Sequence, residues 1–273
     1  YYLLTANTIV TDNDSGVVIE GFHLDDNWTP EPDPSGNDRL LRTIIDRGNT
    51  ASGSYVFEFA GADDVTLRYL ALTGAEYAIA FPSNADSDDV TITRNELYGN
   101  RSAGVRSFTS NDGLQVISNR IFQNSSSALG VSMEQTNGAT ISDNVIYDTP
   151  SGYGINISSS YQKLAPNVIA NNHLYAMYRG ISAGSSDATY APINILNNRI
   201  HDIDSEAISQ TGSNALISGN LVYNTPSGIT GTNVRDNVVY ATGTGITTGG
   251  NAYVAGNRVF DSTTGIVEYS GSV

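Results

Sequence analysis

The sequence contains no cysteine, one tryptophan and two methionines in 273 residues. Without cysteine there is no disulfide, no thiolate metal site and no cysteine nucleophile. Positive charge is also scarce: 13 Lys and Arg face 28 Asp and Glu, for a formal charge of −15. The one lysine is Lys163. Nucleic acid needs a basic stripe to neutralise phosphates, and an anionic membrane surface needs basic segments, so the charge argues against both partners. An anionic polysaccharide would be repelled unless calcium or local arginines intervened. No apolar run reaches the length of a membrane span, so no membrane insertion is expected. There is neither an initiator Met nor a basic-then-apolar leader. The abrupt start at Tyr1-Tyr2-Leu3-Leu4 reads as a mature or excised piece of a longer protein, secreted or held at the cell surface.

What is present is a repeat, the first feature to seek in such a chain. A β-branched stretch is followed by an Asn, an aliphatic residue two later and an aromatic three later. It reads Val90-Thr91-Ile92-Thr93-Arg94-Asn95-Glu96-Leu97-Tyr98 and returns at Asn119, Asn144, Asn172, Asn198, Asn220, Asn237 and Asn257. The position two after the Asn is aliphatic throughout, and the position three before it is always Ile or Val. A Gly-Ile or Gly-Val pair follows at Gly104, Gly130, Gly154, Gly180, Gly228, Gly245 and Gly265, with Ala207 once in its place. Each repeat has room for three short strands, too few for a propeller blade, and none has helical periodicity. The reading is a coil whose turns stack about 4.8 Å apart, aliphatics inward. The Asn is expected to occupy a left-handed turn and to bond its equivalents along the axis. The Gly suits a corner where a side chain would collide.

These residues resemble the right-handed parallel β-helix superfamily of pectate lyases, alginate lyases and mannuronan epimerases, most clearly over residues 60–270. The resemblance implies an all-β fold: one single-stranded right-handed parallel β-helix of about ten coils and three parallel sheets. It does not fix an activity, because one fold hosts many. Residues 1–60 read as irregular coils and 61–273 as regular ones, within a single domain. Val17–Leu24 matches the strand pattern with Phe22 at the Asn position, and Val65–Leu72 matches with Leu70 there. The 48 residues between them predict about two coils. Asp25 to Asp38, with Trp28 and three prolines, reads as an inserted loop. No polar cap is visible at either end, although solenoids normally need one.

In this superfamily substrate lies along one sheet between loops, which directs attention to the sheet after the Gly corners. Residues two past each Gly form an outward row: Arg106, Ser132, Asn156, Ser182, Ser209, Thr230, Thr247 and Val267. It reads as a solvated face or a shallow sugar-binding floor. The loops bearing Tyr161 with Lys163, and Tyr190, wall one side. The residue before each Gly gives a column of Tyr153, Arg179 and Glu206, with Tyr178 beside it. For β-elimination on a uronic acid, Tyr153 would take the C5 proton and Arg179 would neutralise the substrate carboxylate. The bland alternative is a surface ladder held by stacking and an Arg179–Glu206 ion pair. Tyr153-Gly154-Ile155-Asn156-Ile157-Ser158 is similar to the Tyr-Gly-Phe-Asp-Pro-His segment of mannuronan epimerases. Asn156 and Ser158 replace both ionisable groups, which argues against that activity. Glu134 and Glu206 lie three coils apart, too far for paired glycosidase carboxylates, and Arg106 with Glu134 reads as a salt bridge.

His23, His173 and His201 read as scattered, with His201 merely stacked at the aromatic position, so a histidine metal site is not expected. Calcium suits the acidic turns Asn84–Asp89, Asp25-Asp26 and Asp12-Asn13-Asp14 better, although no calcium-binding motif is present. The column Tyr98, Phe122, Tyr147, Tyr175, His201, Tyr223, Tyr240 and Phe260 is expected to point outward and to bury itself by self-stacking rather than to serve as an open partner surface. Two function classes follow. One is an extracellular structural, adhesive or glycan-binding module whose partners are carbohydrate, flanking domains or other copies of itself, the last joined end to end. The other is a polysaccharide lyase or epimerase.

Overall fold

The structure is a computed structural model that describes residues 1–22, 29–31, 43–108, 111–125, 127–159, 165–185, 190–212 and 215–269. It is a right-handed parallel β-helix built almost wholly of strands, with one 3-10 turn among the described residues, at Asp12–Asp14. One sheet has ten strands, from Val18–Glu20 to Tyr253–Ala255, each paired in parallel with the next coil. Its inward residues are the Ile and Val three before each Asn, fully buried from Ile92 to Val234. The aliphatics two after each Asn, Leu97 to Val239, meet them in one continuous core. Burying each such side chain contributes about 1.5–3 kcal/mol, so the core grows with every coil.

Three ladders were expected, and the later coils depart from that. Strands after the Asn and after the Gly are separate early on, as in Glu96–Tyr98 and Ala103–Ser107. From Val145–Ser159 onward the two merge into single long strands, giving one 17-stranded sheet. The cause is the corner. The early coils turn on Gly99-Asn100 and Gln123-Asn124, whose Asn side chains bond neighbouring backbone. Later coils bend at one left-handed residue, such as Asp148, Ala176 or Asn224, and pairing resumes at once, Thr149 opposite Met177 and Thr225 opposite Thr242.

The asparagine corner carries a second correction. The left-handed residue is the one before the Asn: Arg94, Ser118, Asp143, Asn171, Asn197 and Asp236 have φ between 55° and 58°. The Asn itself stays free to turn its amide inward. From Asn119 onward each Oδ1 accepts the backbone N–H and the amide of the preceding Asn, and each Nδ2 also donates to a strand carbonyl of the coil before. Asn144, for example, accepts from Asn119 at 2.9 and 3.1 Å and donates to Val116 O at 2.8 Å and to Asn172 Oδ1 at 2.9 Å. The Gly corners from Gly104 to Gly245 behave as expected, a Cβ on Gly180 standing 2.4 Å from the carbonyl oxygen of Ala207, whereas one on Gly265 would meet nothing within 4 Å.

The N-terminal spacing is the third correction. Val18 lies directly opposite Thr66 and Ile19 opposite Leu67, so the 48 residues make one coil rather than two. The insertion accounts for the surplus. Its residues Thr29–Glu31 return to the barrel as a strap. Arg120 donates to the carbonyls of Pro30 at 3.0 Å and Glu31 at 2.9 Å. Beneath the strap, Arg120 (5% exposed) is paired at 3.3 Å with Glu96, which is wholly buried.

Candidate functional site

The outward row expected after the Gly corners exists in register. Arg106 is opposite Ser132, then Asn156, Ser182, Ser209, Thr230, Thr247 and Val267 follow one per coil. The face is not uniformly solvated, since Ser132 is fully buried. Arg106 lies over it, donating to Ser132 Oγ and to the carboxylate of Glu134, so the expected salt bridge forms. The same guanidinium packs 4.2 Å from the Phe108 ring centroid, and Phe108 meets Tyr77 edge-on at 6.5 Å. Burial raises the Tyr77 phenol above its usual value, with the neighbouring Glu76 adding to the shift. Together Tyr77, Arg106, Phe108, Leu129, Glu134 and Asn156 line an open groove of about 450 Å3. The groove thus joins three residues named from sequence (Arg106, Glu134, Asn156) to two aromatics that sequence reading missed. Phe108 was legible as an aromatic two past Arg106, and Tyr77 as one coil before Ala103.

The second expected cluster assembles in part. Tyr153 is opposite Arg179, and Arg179 is opposite Glu206. The Arg179 guanidinium lies 5.4 Å from the Tyr153 ring and 5.8 Å from the Tyr178 ring. The ion pair with Glu206 does not form. Glu206 instead accepts the Thr230 hydroxyl at 2.5 Å, one coil farther on, and Arg179 Nε is buried without a hydrogen-bond partner. Ser182 is half-buried in the row, and Tyr190 precedes the strand Ile193–Leu196 of the ten-stranded sheet. Tyr161 and Lys163 lie outside the described residues, as do His23, Asp25 and Asp26.

The aromatic column stacks as expected: successive centroids from Tyr98 to Phe260 are 4.6–5.4 Å apart with planes within 17°. The histidines, however, are not scattered. His173 sits one residue after its Asn and His201 three after the next, which brings their Nε2 atoms to 2.8 Å. Glu31 of the strap contacts His173 Nδ1 at 2.9 Å, and Asp202 contacts His201 Nδ1 at 2.7 Å. Asp202 reaches back because it holds φ 53°. Burial keeps His201 below the ordinary imidazole value despite that carboxylate, and the His201 hydrogen bond holds Asp202 below the usual carboxylate range.

Among the described residues no three His, Asp or Glu side chains converge as a metal cluster. The acidic turns form a ladder of their own: Asp63 Oδ1 accepts the Asp88 N–H at 2.8 Å, Asp88 Oδ1 that of Asp112 at 2.7 Å, and Asp112 Oδ1 that of Asn137 at 2.9 Å. Asp14 closes a capping box with Thr11. No helix among the described residues is long and apolar enough to cross a membrane.

Comparison with known proteins agrees with this architecture. Residues 5–199 match the family described as "Periplasmic copper-binding protein (NosD)", and residues 129–273 match "Right handed beta helix region". The A-module of an Azotobacter vinelandii mannuronan C-5 epimerase superposes with a TM-score of 0.53 at 18% identity, covering 84% of this chain and 72% of that one. The catalytic domain of a GH87 α-1,3-glucanase, solved with tetrasaccharides, gives 0.54 at 9% identity over 98% of this chain and 60% of that one. At these identities the likeness is one of fold. This chain spans under two thirds of the glucanase domain. No curated protein sequence matches the chain.

Proposed function

Since the chain belongs to the family described as periplasmic copper-binding protein (NosD) and, through its C-terminal half, to the right-handed β-helix region family, we propose that it is a glycan-binding module working outside the cytoplasm. The observation that carries this reading is the groove over the post-glycine sheet, with Tyr77 and Phe108 beside the paired Arg106 and Glu134. A sugar is recognised by an apolar ring face and a few fixed polar groups. Phe108 supplies the first, and Asn156 with the Arg106–Glu134 pair supplies the second. The pairing leaves Arg106 little charge to offer an anion, and the chain carries −15 overall. The ligand is therefore a neutral glycan. Calorimetric titration with neutral glucan and uronate oligosaccharides tests this. Neutral oligosaccharides bind, uronates do not, and Phe108→Ala weakens binding roughly tenfold, the ~1.4 kcal/mol of one aromatic contact. Failure of every neutral glycan to bind, or binding unaltered by Phe108→Ala, ends the reading.

A second reading keeps one specific support. Arg179, with no carboxylate partner among the described residues and lying over Tyr153 and Tyr178, is arranged to neutralise a uronate while a tyrosine, ionised to its phenolate, takes the proton. Ultraviolet absorbance of unsaturated uronates after incubation with alginate and pectin decides it, with Arg179→Ala abolishing any product formed.

A further inference from the structure

Thr29–Glu31 is held over the solenoid at two places. Arg120 donates to the carbonyls of Pro30 and Glu31 at 3.0 and 2.9 Å, and a guanidinium keeps its charge at any ordinary pH. The second hold is a line of four groups, Glu31, His173, His201 and Asp202, joined by contacts of 2.9, 2.8 and 2.7 Å. Each contact needs one proton between its two atoms. An ionised carboxylate has none to give and a neutral imidazole has one, so two carboxylates and two neutral rings bring two protons to three contacts. The closed line therefore holds one proton more than its parts. Burial keeps His201 below the ordinary imidazole value, so that ring stays neutral. Its Nδ1 donates to Asp202, and its Nε2 lone pair accepts from His173. The extra proton rests on His173, which donates from Nε2 to His201 and from Nδ1 to Glu31.

We propose that His173 is a proton-operated latch for the strap: protonated, it grips Glu31, and on losing its proton it lets that carboxylate go. The line is built to move at one end. Asp202 is held also by the Asn224 amide at 3.1 Å, and the His201 ring is clamped between Tyr175 and Tyr223, within 2° and 11° of their planes. His173 is tilted 42° from Tyr175, and the Glu31 side chain is 56% exposed. The other charged and titratable groups that face the pair are already engaged. Arg199 is turned away to the Tyr223 hydroxyl at 2.8 Å, the phenols of Tyr175 and Tyr223 present their ring faces, and Arg120, two coils before His173, is paired with Glu96. Docking takes up a proton wherever the loosened His173 is neutral. It therefore weakens as pH rises through the imidazole range, by up to about tenfold per pH unit. At lower pH His173 is protonated whether the strap is docked or loose, and docking no longer depends on pH. Arg120 tethers the strap throughout. The latch stands on the aromatic ladder, away from the glycan groove, and does not depend on that reading.

The test reads strap mobility in the full chain. The sequence has no cysteine and Thr29 is exposed, so a nitroxide attached to Thr29→Cys reports on the strap alone. At about pH 5.5 its electron paramagnetic resonance spectrum is that of a restrained label, and the mobile fraction grows along a one-proton curve up to about pH 8.5. Adding His173→Gln or Glu31→Gln leaves the label mobile at both ends of that range and removes the pH response. In the unlabelled chain at the lower pH, nitrogen NMR of the imidazoles finds His173 protonated on both nitrogens and His201 on Nδ1 alone. Should circular dichroism show His173→Gln unfolded, Glu31→Gln, a change on the strap itself, decides alone. A label equally restrained across the range, a pH response retained in the folded variants, or a His173 with one proton at the lower pH overturns the latch.

Discussion

Two columns run side by side up this solenoid, three residues apart in every repeat, and they hold together differently. Asparagine rungs, buried from Asn95 to Asn237, are joined by directional bonds in which each amide serves the coil before it and the coil after. Aromatic rungs are joined by flat contact alone, and Tyr, Phe and His all serve. A bond network that uses both ends of one functional group admits one residue type. A stack that needs only a planar face admits several. The permissive column is therefore where a histidine can enter without disturbing the fold.

The sharpest way to break this contrast is Asn144→Asp. The carboxylate cannot donate to Val116 O or Asn172 Oδ1, and it places a charge in the core. Stability falls by about 3 kcal/mol or more, from buried groups left unsatisfied, read as a lower urea midpoint. Tyr147→Ala should cost less, about 1–3 kcal/mol, because it removes a half-buried ring and two stacking contacts. Tyr240→Phe, by the same measurement, should lie within about 0.5 kcal/mol of the parent, because it keeps the flat ring stacked on Tyr223 and Phe260. Equal losses from Asn144→Asp and Tyr240→Phe would erase the distinction between the columns.

The Asp63–Asp88–Asp112 ladder sharpens the contrast from a third side, since it does the asparagine job with charged groups. Burial, reinforced by Asp86, Asp112 and Asp63, raises the Asp88 pKa above 3.8. A carboxyl whose folded pKa is raised favours folding when protonated and opposes it when ionised. The cost is present above the folded value and gone below 3.8. Asp88→Asn keeps the acceptor for the Asp112 N–H and removes the charge. It should stabilise the chain by about 0.5 kcal/mol at pH 7, a value kept small by solvent screening, and by nothing measurable at pH 3, as seen in paired thermal melts.

The contrast also explains which features were legible in the sequence. The asparagine period, the post-glycine row and the aromatic column all follow from one short motif repeated at coil spacing. Position within the repeat translated directly into neighbours in space, down to Arg106 opposite Ser132 and Tyr153 opposite Arg179. What failed depended on relations outside that period. The left-handed residue beside each Asn takes Arg, Ser, Asp, Asn or Gly, so composition does not mark it. The His173–His201 contact joins two different repeat positions across a coil boundary. The Glu206 carboxylate had two neighbours in reach and took Thr230 rather than Arg179. Strap docking onto Arg120 and His173 spans 90 and 142 residues of sequence, and no repeat encodes it.

That strap sets an order of events. Thr29–Glu31 leaves the ribosome long before its docking surface exists, because Arg120 and His173 are synthesised about 90 and 140 residues later. Contacts so distant along the chain form late, after the loop-closure entropy has been met by winding the intervening coils. The barrel must assemble first and the segment close over it afterwards. Completed docking is thus a signal, written in the protein's own geometry, that winding has progressed at least as far as His173.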